Sequence, residues 1–135
     1  MNTSTNKLFQ LALLAYHNAY APYSQFSVGA AILSTNGNYF YGCNVENISY
    51  PCGSCAEQNA ISAMIASGDM NIAEILIIAD SSELITPCGA CCQRIKEFST
   101  PNTIITCCNL QGTQKQYTIN QLLPNGFALK ELKHD

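Results

Sequence analysis

Basic residues are scarce in this chain, with six Lys and Arg against nine Asp and Glu, a formal net charge of −3 and a single arginine, Arg94. No basic stripe can follow a phosphate backbone, so nucleic acid is disfavoured as a partner and a small neutral ligand is not. Long apolar runs are also missing. Leu11 to Tyr16 is far too short to cross a bilayer, and the polar Met1 to Lys7 lacks the basic-then-apolar layout of a signal peptide. The expectation is a cytoplasmic protein with no membrane partner. In that reducing compartment the eight cysteines suit thiols and metal ligands better than disulfides. No Pro/Gly/Ser-rich linker or charge block divides the sequence, so residues 1–135 read as a single domain. With 47% hydrophobic and 11% charged residues it is long enough to bury one core.

What is present has a clear order. Leu8, Leu11, Ala12, Ala15 and Ala19 fall at helical spacing and predict a first helix over Lys7 to Tyr20, broken by Ala21, Pro22 and Tyr23. Ser27 to Leu33 and Tyr39 to Cys43 flank the turn Thr35-Asn36-Gly37-Asn38 and read as a hairpin. Cys55 to Ser67 predicts a helix stopped by Gly68, and the apolar run Ile72 to Ala79 a strand covered on both faces. A third helix is expected over Cys88 to Phe98, a buried strand over Thr103 to Cys108 and a further strand over Gln114 to Thr118 before the short segment Ile119 to Leu123. The polar tail Lys130 to Asp135 is expected to fray. Helices alternating with apolar strands imply an α/β fold, a three-layer α/β/α sandwich around a mixed sheet of about five strands.

Two pentapeptides nearly repeat each other, Pro51-Cys52-Gly53-Ser54-Cys55 and Pro87-Cys88-Gly89-Ala90-Cys91. Each follows a loop and precedes a predicted helix. Cys88 and Cys91, at i and i+3, can turn two sulfurs toward one tetrahedral ion. Cys55 opens the other helix, where the helix dipole and free N–H groups favour the thiolate that a metal requires. Glu57 lies two residues further on, close to the metal and not needed as a ligand. Three thiolates leave a fourth position for water, the mark of a catalytic zinc site. Cys55-Ala56-Glu57 with Pro87-Cys88-Gly89-Ala90-Cys91 is the zinc-deaminase pattern, in which the metal activates a water and a Glu moves protons on the base.

Over nearly its whole length the chain resembles the small-subunit cytidine deaminases. Besides the zinc motifs it carries the segment Ala21-Pro22-Tyr23-Ser24-Gln25-Phe26-Ser27-Val28-Gly29-Ala30-Ala31, then Gly42-Cys43-Asn44-Val45-Glu46-Asn47 and the later Leu122-Leu123-Pro124. The resemblance implies one Zn2+ per subunit on Cys55, Cys88 and Cys91, and Glu57 as the catalytic proton shuttle. It further implies ribose contacts from Asn44 and Glu46, a pyrimidine packed on Phe26, a cytosine edge read by Glu57 and the backbone beside Ala56, and a homotetramer with sites completed across subunits. The expected reaction is hydrolysis of cytidine and 2′-deoxycytidine to the uridines with release of ammonia, in pyrimidine salvage. The chain departs from the pattern where the family often has arginine, directly after the Glu and after the last Cys, since Gln58 and Cys92 stand there. Zinc with three thiolates is formally −1, which weakens acidification of its water unless donors offset it. Backbone N–H groups at the two helix starts, with Gln58, are expected to do part of this.

Cys52 supports a competing reading. With Cys55, Cys88 and Cys91 it could close a structural four-cysteine zinc site and make this a scaffold module. The gap between the pairs is far longer than the roughly 15–20 residues of a compact zinc ribbon, and such a site gives Glu57 no role. Cys43, Cys92, Cys107 and Cys108 read as small core residues. His17 reads as a surface or packing residue and His134 as part of the tail. Phe26 is core or substrate wall, and Phe127 caps the core or leans into a site of the assembly. A relative acting on a modified cytosine nucleoside such as blasticidin S is the alternative, against which the Asn44/Glu46 pair argues for an ordinary ribose.

Overall fold

The computed structural model describes residues 1–129, and the predicted tail Lys130 to Asp135, with His134, lies outside them. Helix α1 spans Thr3–Asn18 and begins earlier than its apolar spacing predicts, because the Asn2 side chain accepts the Thr5 backbone N–H at 2.8 Å and caps the helix. The hairpin follows as β1, Val28–Ser34, and β2, Tyr39–Cys43. Helix α2 covers Ala56–Ser67 with Cys55 at its N-cap, and Gly68, at φ 103°, ends it in the left-handed conformation that glycine adopts without strain. Strand β3, Ile72–Ala79, leads to α3, Gly89–Glu97, whose N-cap is Cys88. Strands β4, Ser99–Cys108, and β5, Gln114–Tyr117, precede the single turn α4, Ile119–Leu122.

The strands form one mixed sheet in the order β2-β1-β3-β4-β5. Only β3 and β4 run parallel, joined by the crossover through α3; the other pairs are antiparallel. Alternation along the strands divides the core. Ala31, Leu76, Ile78 and Cys108 pack with Leu8 and Ala12 of α1, whereas Ala30, Ile32, Ile75, Ile77, Ile105 and Cys107 face Ala60, Ile61 and Met64 of α2 and Ile95 of α3. The architecture is the expected α/β/α sandwich. Strand β3 is buried on both faces, as its unbroken apolar run requires.

Both helical layers approach the sheet closely at a glycine. A Cβ on Gly29 of β1 would stand 2.0 Å from the Ala12 carbonyl oxygen, and one on Gly42 of β2 would stand 2.6 Å from the Ala60 nitrogen. Glycine alone lets the α1 and α2 backbones lie this near the hairpin. The second approach sets the height of α2 over the sheet, and with it the position of Cys55 and Glu57 at the helix start.

Candidate active site

The N-terminal ends of α2 and α3 meet beside the carboxyl end of β3, and there the structure forms a cavity of about 530 Å³. Every site residue anticipated from the sequence lines it: Cys55, Cys88, Cys91, Glu57, Ala56, Phe26, Asn44 and Glu46. A crevice outside the carboxyl ends of strands is where open α/β sheets receive their ligands. Ser24 and Tyr50, which the sequence reading did not single out, also border the cavity.

Glu57 is buried in the first turn of α2. Burial raises its carboxyl pKa, opposed by its own backbone N–H, by the Cys91 thiol and by the charge of Arg94. Buried Cys91 is pushed up by desolvation and by the field of Glu57, with the thiol of Cys55 within hydrogen-bonding contact and Cys88 also nearby. Among the described residues no group of three or more His, Cys, Asp or Glu donors stands in ready metal-binding geometry, so fit to a metal rests on donor chemistry. Three thiols converging at two helix starts are soft donors suited to zinc, and the carboxyl of Glu57 beside them is a group able to exchange protons.

Asn44 and Glu46 already hold the cavity rim together. Asn44 Oδ1 accepts the Val28 N–H at 2.9 Å and its Nδ2 donates to the Phe26 carbonyl at 2.9 Å. Glu46 accepts the N–H groups of Tyr23 and Ser24 at 2.9 and 3.1 Å, and the Ser24 hydroxyl donates to its other oxygen. These bonds, the Ser24 hydroxyl foremost, hold the Glu46 carboxyl below its usual range. An ionised carboxylate has about four acceptor positions, which leaves capacity for a ligand hydroxyl. Between these two anchors Gln25 takes φ 56°, a conformation uncommon outside glycine. It delivers Phe26, partly exposed, to the cavity as wall rather than core.

Cys52 is exposed in the short 3-10 turn Tyr50–Cys52, donates to Ser49 Oγ at 3.5 Å and is not among the cavity residues. Cys92, Cys107 and Cys108 are buried and Cys43 half-buried, as expected of small packing residues. Desolvation pushes the thiol of Cys107 up to about 12 and that of Cys108 up to about 11. His17 sits exposed in the last turn of α1 with its ring edge-on to Tyr16. Phe127 is exposed; its backbone bonds to the Gln93 side chain, and it borders a different cavity between α3 and the C-terminal segment. Gln58 does not reach the sulfurs as a cation would, since its carbonyl accepts the Cys55 N–H at 3.2 Å. The residue the sequence reading passed over is Arg94, whose Nη1 donates to Cys91 Sγ at 3.4 Å. Its spacing of i+3 from Cys91 was the available signal.

A family model described as the cytidine and deoxycytidylate deaminase zinc-binding region matches residues 2–107. The chain belongs to this family. Zinc is therefore its metal, and the family is one of hydrolytic deaminases. A cytidine deaminase of Sporosarcina psychrophila is 36% identical over 128 residues, covering 95% of this chain and 94% of that protein. The crystal structure of a Burkholderia pseudomallei cytidine deaminase superposes with a TM-score of 0.86 at 38% identity, over 94% of this chain and all of that one. That of Mycobacterium tuberculosis gives 0.81 at 32% identity, over 95% and 100%. The described helices include none long and apolar enough to cross a membrane.

Proposed function

We propose that this protein hydrolyses the exocyclic amine of cytidine and 2′-deoxycytidine, giving the corresponding uridine and ammonia. The observation that carries the reading is the buried Glu57 carboxyl beside three cysteines at two helix starts, in a cavity sized for a nucleoside. Cys55, Cys88 and Cys91 are the residues that would hold zinc, which when bound supplies an acidified water for attack on the amino-bearing ring carbon. Glu57 would carry one proton from the attacking water to the ring nitrogen, and then a second from the hydroxyl so added to the ring carbon to the departing amine, leaving the carbonyl of the uridine. A raised carboxyl pKa suits a group that must accept and donate within one turnover. The Glu57 carboxyl and the backbone beside Ala56 orient the cytosine edge, and Phe26 covers its face. Asn44 fixes the rim and Glu46 receives ribose hydroxyls.

Among the described residues, no Lys, Arg or His lines the cavity. This favours the neutral nucleoside over deoxycytidylate, whose phosphate favours a cationic side chain as partner. The exposed Cys52, outside the cavity, favours the open three-thiol site over a closed four-cysteine one. We further assign the protein to the cytoplasm and to pyrimidine salvage, as a homotetramer whose copies complete one another's sites. Ultraviolet absorbance of cytidine, deoxycytidine and free cytosine, each mixed with zinc-loaded protein, tests the reaction. The expected result is loss of the cytosine chromophore for the nucleosides and not for the free base. No turnover of either nucleoside by protein holding one zinc per chain would overturn it.

A further inference from the structure

Arg94 is the only arginine of the chain and stands one turn beyond Cys91 on α3. Its guanidinium donates to Cys91 Sγ, yet the side chain takes no part in the substrate cavity. It lies instead with Gln58, Ile61 and Glu97 in a separate groove along α2 and α3. Cys91 is therefore contacted from two directions, by Glu57 and Cys55 on the cavity side and by Arg94 from the groove. Neutral Gln58, occupied with the Cys55 N–H, supplies no comparable charge.

We propose that Arg94 is a positioning residue for the thiolate site, fixing the Cys91 sulfur and offsetting the negative charge of three thiolates from outside the substrate cavity. The proposal rests on Cys55, Cys88 and Cys91 being the zinc ligands. A charge-assisted donor to a ligating sulfur holds its orientation and withdraws charge from the metal. Because Arg94 touches no substrate, its effect belongs in metal affinity and turnover, with substrate binding left intact.

The test compares the full-length protein with R94Q, R94K and C91S by zinc competition against a chromogenic chelator and by kcat and KM for cytidine. R94Q is expected to bind zinc about tenfold more weakly or worse and to lose about tenfold in kcat, at unchanged KM. R94K keeps the charge and loses the planar fork, so it recovers part of both losses. R94M, which retains the apolar stem, takes the place of R94Q if that variant folds poorly. C91S separates the two claims: zinc retained at wild-type affinity would sink the ligand assignment itself. Zinc lost in C91S, with R94Q within about twofold of wild type in both readouts, overturns the role of Arg94 alone. A loss in R94Q that R94K shares in full overturns it as well, because packing rather than charge would then be the cause.

Discussion

At the scale of single residues, the site separates groups that do chemistry from groups that hold geometry. Glu57→Gln keeps the size and burial of the side chain and removes the proton carrier, so it should lower kcat by about 10²–10⁴ while zinc content stays at the wild-type level. A variant retaining full turnover in the absorbance assay would remove Glu57 from the proposed mechanism. Cys52→Ser should keep both zinc and activity, since that thiol is exposed and bonded only to Ser49 among its described partners. Loss of zinc in this variant, read by metal analysis, would revive the four-cysteine site. The sulfurs and Glu57 were legible from spacing because each lies within three residues of a helix start. Asn44 and Glu46 were legible as site residues only through resemblance, and nothing local announced that both would be engaged by the backbone of residues 23 to 28.

Elements show a different limit to what spacing reveals. Strands β2 and β3 fall at their predicted bounds because apolar periodicity and a flanking turn fix them locally. Strand β4 begins at Ser99, ahead of the predicted Thr103, since Thr103 Oγ1 donates to the Ile72 carbonyl at 2.6 Å and accepts the Thr100 N–H at 2.8 Å. That tie spans 31 residues. Thr5, in the polar first turn of α1, is likewise buried against Glu74, whose carboxylate it shares with Thr106. The two glycine approaches are equally non-local. Gly42→Ala should cost about 1–3 kcal/mol in unfolding free energy by forcing α2 away from the hairpin, and it should also reduce kcat/KM because α2 carries Cys55 and Glu57. Gly29→Ala meets α1 instead, so it should destabilise comparably with activity largely preserved below the melting temperature. Thermal unfolding with steady-state rates checks both, and equal loss of activity would deny that α2 height tunes the site.

A third element-scale device is the turn between β1 and β2. Asn36, Asn38 and Ser34 all donate to the carboxylate of Asp69, at 3.0, 2.9 and 2.7 Å, tying the turn to the end of α2. Those donors, Asn36 first, hold its pKa below the usual 3.8. A carboxyl whose folded pKa is depressed stabilises the fold above its unfolded pKa and loses that contribution as pH falls through the folded value. Asp69→Asn should therefore melt lower than wild type at pH 7, with the difference shrinking below about pH 4. Melting curves across that range check the sign, and a deficit that persists unchanged into acid would assign it to packing.

For the whole molecule, the surface around the cavity poses the last question. Tyr50, Phe26 and Ile85 line the cavity and are exposed, Tyr50 at 75%, and the chain between Glu46 and Tyr50 carries Ile48 at 80% exposure. Large exposed apolar patches on a soluble protein mark interaction sites. The reaction also benefits from a closed site, because excluding water strengthens every electrostatic interaction inside it. A single copy leaves Tyr50 and Ile85 exposed at the cavity, where a neighbouring copy of the proposed homotetramer would cover them, closed symmetry being the usual arrangement of such copies. Light scattering should give about four times the mass of one chain, and specific activity should fall on dilution as copies separate. Ile48→Asp places a charge on the most exposed apolar side chain near the site in sequence without altering a proposed zinc ligand or Glu57, so it should shift the protein to smaller species and lower activity together. A monomer with full activity, or an Ile48→Asp protein that dissociates without kinetic consequence, would mean that each chain closes its own site.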